Sequence, residues 1–172
     1  LQEQYLNIQL LRPDPVQPRR ILPQDLHEAF HSQRISPNQA IKELVNRAQG
    51  RARVAGRPFS NPFDLMASNE SEDVADIHYS IEEELLRDLV QLAMTLQDDG
   101  QVNPLTVVNI SEGVMVQYVI ETGERRYWST WLLKDFHPVE SHDGKIPCIV
   151  IPNDKASPFR QAKENTSRTG LN

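Results

Sequence analysis

The run IEEELLRDLVQLAMTLQD, residues 81 to 98, sets Ile81, Leu85, Leu89, Leu92, Ala93 and Leu96 at helical spacing, which commits it to an amphipathic helix. Ser80 with Glu83 spells a capping box, three glutamates favour the N-terminal end of the dipole, and Gly100 suits a C-terminal cap. The pattern then changes period. PLTVVNI and VMVQYVIE are β-rich runs joined by Ser111, Glu112 and Gly113, the signature of a hairpin. TGERRYWSTWLLKDF returns to helical spacing through Trp128, Trp131, Leu132 and Phe136, and IPCIVIP reads as a further strand. This order of helix, hairpin, helix and strand predicts an α/β (α+β) domain.

Upstream the signals are sparser. Residues 1 to 9 suit an edge strand, and RPDPVQPRRILP, with four prolines, is predicted as an extended loop that carries Arg12, Arg19 and Arg20. SPNQAIKELVNRA reads as a helix with Ser36 as N-cap, Pro37 in its first turn and Ile41, Leu44, Val45 and Ala48 as its apolar stripe. Residues 50 to 79 pass from a basic, breaker-rich stretch to an acidic one and are predicted as a poorly packed loop or insertion. The tail from Ser157 is predicted to begin as a helix with Pro158 in its first turn.

A chain of 172 residues fits one ordinary domain. Its net charge of -6 and pI near 5.4 argue against a surface that grips nucleic acid everywhere, so any polyanion site must be local. The single cysteine, Cys148, cannot form an internal disulfide, which makes the cytosol the expectation. No run approaches the ~18 apolar residues of a membrane span. A start at Leu1 and an end at Asn172 within a polar stretch suggest a piece of a longer protein.

The chemistry concentrates at GERR, Gly123 to Arg126. A strand, a glycine and a helix start place unpaired backbone N–H groups where the helix dipole favours an anion, and two guanidinium forks suit phosphate oxygens. The competing reading makes Glu124 a simple complement to the helix N-terminus with both arginines in solvent. The company of the motif bears on the choice: PVQPRR lies upstream, DGQVNPLTVV before the hairpin and KENTSR near the end.

Those segments together resemble the N-terminal domain of the ParB family of chromosome and plasmid partition proteins. The resemblance rests on QPRR (Gln17 to Arg20), GQVNPLTV (Gly100 to Val107), YVIETGERRYW (Tyr118 to Trp128), IPCIV (Ile146 to Val150) and ENTSR (Glu164 to Arg168). It implies a compact fold shared with sulfiredoxin, with a small mixed sheet and flanking helices. It also implies binding of CTP with Mg²⁺, slow hydrolysis, and closure of a homodimer as a clamp on DNA. Further DNA recognition would lie in a region outside this sequence, a ParA-like ATPase would be a partner, and localisation would be cytoplasmic at the nucleoid or a plasmid.

Carried over residue by residue, Gly123, Glu124, Arg125 and Arg126 resemble phosphate binders, and Gln17 and Arg19 a loop that approaches the triphosphate. Gly100, Gln101 and Asn103 are similar to the segment near the cytosine. Glu164 and Asn165 match the pair beside the metal, which agrees with the preference of Mg²⁺ for oxygen ligands, and Arg168 is placed to touch phosphate or the opposite protomer. Two departures stand out. Some sixty residues separate QPRR from Ile81, so residues 34 to 79 are expected to hold an insertion whose arginines, Arg47, Arg51, Arg53 and Arg57, either stand in a solvated loop or contact DNA or a partner. Trp128 and Ser129 stand where many members have arginine and alanine.

Other readings stay open from sequence. An enzyme on the same fold, a nucleotide-dependent phosphotransferase or a nuclease, would use Glu124 as catalytic base, and a degenerate domain would keep GERR as a salt-bridged cap. Sulfiredoxin chemistry is set aside, because Glu124 stands where that reaction needs a cysteine. His27 and His31, four apart, are predicted as surface histidines, Cys148 as core, and Tyr127, Trp128, Trp131 and Phe136 as core rather than a base-stacking platform.

Overall fold

The computed structural model describes residues 2–16, 20–67, 77–99, 103–137, 139 and 142–153. The chain starts with strand β1 (Glu3–Asn7), makes a 3-10 turn over Ile8–Leu10, and continues as strand β2 (Leu11–Pro13). Helices α1 (Gln24–His31), α2 (Pro37–Val54), α3 (Asp64–Ala67) and α4 (Ile81–Asp99) follow. The last part is β3 (Leu105–Asn109), β4 (Tyr118–Thr122), α5 (Glu124–Phe136) and β5 (Lys145–Pro152). The fold is α/β, as the alternation of periods predicts.

The five strands form one mixed sheet in the order β1-β5-β3-β4-β2. β1 runs antiparallel to β5, β5 parallel to β3, β3 antiparallel to β4, and β4 parallel to β2. The first two strands of the chain therefore sit on opposite edges, with only Ile8–Leu10 between them. Four interstrand steps of a flat sheet span roughly 19 Å, whereas four Cα steps reach about 15 Å at most. The sheet must curl to bring its edges together. Ile8, at the crossing, is fully buried, and its N–H is held by the carbonyl of Gly144 at 2.6 Å.

Helix α5 lies at the centre of the molecule. Tyr127 through Leu133 are all buried, so it carries no single apolar stripe over that stretch, and it packs against α4, α2 and the 3-10 turn at Ile8–Leu10. Its buried serine and threonine hydroxyls are both satisfied: Ser129 Oγ donates to the Leu89 carbonyl of α4 at 2.8 Å and Thr130 Oγ1 to the Arg126 carbonyl at 2.8 Å. Trp128 packs edge-on against Phe30 and Tyr127, with ring centroids 5.0 and 4.9 Å away. Tyr127, Trp128 and Trp131 are core, as their spacing predicts, Phe136 packs against that core partly buried, and buried Cys148 joins them from the inner strand β5.

The two long helices begin where the caps predict. Ser36 and Gln39 close a capping box on α2, and Ser80 and Glu83 bond reciprocally ahead of α4. α2 nevertheless runs to Val54 instead of ending near Ala48, because buried Ala52 adds one more turn to the stripe and Arg51 and Arg53 complement the C-terminal dipole. α2 belongs to the same core as α4 and α5. On α4 the buried face is Leu86, Leu89, Val90 and Ala93, while Ile81 is exposed: the core-facing stripe is rotated from the one the spacing suggests.

Two further differences appear. Leu11–Pro13 of the proline-rich run forms β2, where Arg12 donates to the Phe30 carbonyl at 2.6 Å and stacks on the Phe30 ring instead of standing in a loop. β4 starts at Tyr118, so Val114, Met115 and Val116 project from the hairpin tip, where Glu112 and Met115 exchange backbone hydrogen bonds. The expected tail helix from Ser157 lies outside the described residues.

Candidate functional site

The corner between β4 and α5 is built around Gly123. It caps α5 with φ 106° and ψ 25°, and a Cβ there would stand 2.2 Å from Leu105 Cδ2. Only glycine meets both requirements, a left-handed backbone and direct contact with the neighbouring strand. No side chain caps the helix at this end, so the first-turn N–H groups of a 13-residue helix have no capping acceptor at the positive end of its dipole.

The three side chains that follow go in different directions. Glu124 is buried in the first turn, and its Oε1 accepts a hydrogen bond from Trp128 Nε1 at 3.2 Å. Arg125 reaches across to α4, where Nε and Nη2 grip the Asp88 carboxylate at 2.7 to 3.0 Å. Arg126 folds back over Gly123 and donates to the Asn103 carbonyl, tying the approach to β3 to the start of α5. Burial of its guanidinium lowers its pKa from the ordinary arginine value. The structure thus brings together Asn103, Gly123, Glu124, Arg125 and Arg126 around one corner.

The other expected site residues, Gln17, Arg19, Gly100, Gln101, Glu164, Asn165 and Arg168, lie outside the described residues. Among the described residues no cluster of three or more His, Cys, Asp or Glu forms a metal site. Asp88 carries no sequence signal: it lies 37 residues from Arg125, and only the packing of α4 on α5 makes them neighbours.

The basic run is largely compensated within the fold. Arg47 pairs with Asp25 and Glu43, Arg51 approaches Glu82 at 3.8 Å, and Arg57 pairs with Glu83 at 3.3 Å. Arg57 and Arg87 also lie against the Tyr79 ring, beside a cleft of about 720 Å³ that Arg53 lines as well. The basic C-terminal end of α2 meets the glutamates that open α4, so each helix end neutralises the other.

No protein-family model and no curated protein sequence matches the chain. Among solved structures it is similar to a crystal structure of the C-terminally truncated chromosome-partitioning protein ParB from Caulobacter crescentus, complexed with CTP-gamma-S. That likeness has a TM-score of 0.43 and 14% identity over 97% of this chain and 54% of the other. The chain spans about half the length of that protein. No helix among the described residues is long and apolar enough to cross a membrane.

Proposed function

We propose that this chain is the nucleotide-binding module of a ParB-like DNA partition protein, with CTP as the ligand that switches a homodimer between open and clamped states. One observation carries the reading: the uncapped start of α5 at Gly123, flanked by Arg125 on the α4 side and Arg126 on the β3 side. Backbone N–H groups, a helix dipole and two guanidinium forks are the donor set that a polyphosphate requires. It also suits a protein of net charge -6, since such a site needs cationic donors at one corner only.

In this reading Arg125 and Arg126 exchange part of their internal bonding for phosphate oxygens. Glu124 stays beneath the corner, where it holds Trp128 and supports any slow hydrolysis. Mg²⁺ would neutralise phosphate charge when bound, with Glu164 and Asn165 as its assigned ligands. Sequence-specific DNA contacts belong to a region outside residues 1–172.

The test is a thermal-shift and calorimetric series with CTP, ATP, GTP and UTP, each with and without Mg²⁺, paired with crosslinking across the dimer. CTP with Mg²⁺ should raise the melting temperature and increase crosslinking. Absence of binding by all four triphosphates would overturn the assignment.

A further inference from the structure

Helix α1 carries His27 and His31 one turn apart, and their rings touch, with centroids 4.4 Å apart and planes inclined at 56°. His27 Nδ1 and His31 Nε2 are both shielded from solvent, and neither has a hydrogen-bond partner. A buried polar nitrogen left without a partner forfeits its hydration with nothing in return, and here two such atoms occur on adjoining rings. The remaining polar contacts of the region are made elsewhere: Arg12 is anchored on the Phe30 carbonyl and ring, and Glu28 accepts from Gln24.

We propose that His27 and His31 form a two-histidine clip for a divalent transition metal of the zinc, nickel and copper class. Histidines at i and i+4 on one helix face are a metal-binding spacing, and imidazole nitrogen suits these ions in particular. An ion bonded at about 2.0–2.1 Å to each of two nitrogens bridges a gap of up to roughly 4 Å, so binding requires the two touching rings to turn until one nitrogen of each faces a common point. His31 ends α1, so the site lies at the carbonyl end of the helix, where the dipole favours a cation.

The protonation state agrees with this assignment. Burial, then the charges of His27 and Arg12, push His31 down to about 4, so at neutral pH its lone pair is not taken by a proton. The charged group that acts against the site is Arg12, which faces His31 from β2. It makes the clip weaker than an isolated histidine pair, and it supplies a lever. No third side chain among the described residues completes a cluster, so the other coordination positions require water, which must enter as the two rings rotate out of their shielded packing.

The proposal is independent of the nucleotide corner and is tested on chelator-treated protein titrated with Zn²⁺, Ni²⁺ or Cu²⁺ alone. One equivalent should bind, with a metal-dependent rise in melting temperature. The Cu²⁺ form should show electron paramagnetic coupling to two imidazole nitrogens. His27→Gln should weaken binding at least tenfold, and Arg12→Gln should strengthen it severalfold. His31→Ala removes a ring packed on Phe30, so circular dichroism must first show the variant folded; His27→Gln tests the clip without that complication. No binding, coupling to one nitrogen only, or equal affinity in His27→Gln would overturn the clip. Metal held instead by His78, His137 or His142, shown by their substitution, would overturn it as well.

Discussion

Gly123 and Leu105 are in such close register that a single methyl group on the glycine would lie 2.2 Å from the leucine side chain. Gly123→Ala combines that clash with a left-handed backbone at φ 106°, and Leu105 is fully buried and cannot move aside. The variant should lose about 3 kcal/mol in urea denaturation, from overpacking and backbone strain together. Loss below 1 kcal/mol would mean that the corner is softer than described.

Arg125 and Arg126 should separate when stability and ligand binding are measured side by side. Arg125 and Asp88 are each about half exposed, so Arg125→Gln should cost under ~1 kcal/mol. Arg126 is more enclosed and holds the Asn103 carbonyl, so Arg126→Gln should cost about 1–2 kcal/mol. If the corner binds triphosphate, calorimetry should show both variants weakened about tenfold, on the scale of a lost charged hydrogen bond.

The Asp25–Arg47 pair predicts a pH signature. Its two hydrogen bonds, 2.5 and 2.9 Å, together with the guanidinium charge, lower the Asp25 carboxyl from 3.8 to about 2. The folded value lies below the unfolded one, so the contribution is complete above about pH 4 and is lost as pH falls toward 2. Exposure of the pair limits it to within about 1 kcal/mol. Asp25→Asn should therefore be less stable than the parent at pH 6 and indistinguishable from it at pH 2, as read by chemical denaturation.

Cys148 should resist alkylation in the native protein. Its thiol is buried on β5, and burial pushes its pKa up to about 12, so little thiolate exists at pH 8. Iodoacetamide should react at the rate of global opening and rapidly in denaturant. Fast labelling of folded protein would show that β5 is not held as described.

Much of the scaffold is legible in the sequence because it depends on local rules. Ser36 with Gln39 and Ser80 with Glu83 mark helix starts through bonds that span three residues. IPCIVIP and PLTVVNI read as strands because strongly apolar β-forming runs have few alternatives. The hairpin tip is less legible, since Val114, Met115 and Val116 have strand composition and only the register of Tyr118 against Asn109 shows that the β3–β4 ladder stops short of them, leaving an isolated Glu112–Met115 bridge at the tip.

Sequence alone settled the α/β class, the starts of α2, α4 and α5 and the glycine corner, because hydrophobic period, capping and backbone permissiveness act within a few residues; α1 and α3, both short, are not legible in it. Tertiary structure decided the rest. It set β1 and β2 on opposite edges of a curled sheet, turned Leu86 rather than Ile81 toward the core, paired Arg125 with Asp88, and brought the rings of His27 and His31 into a shielded contact. These outcomes depend on which surfaces pack together across tens of residues, where burial of a whole face outweighs the preference of any single position.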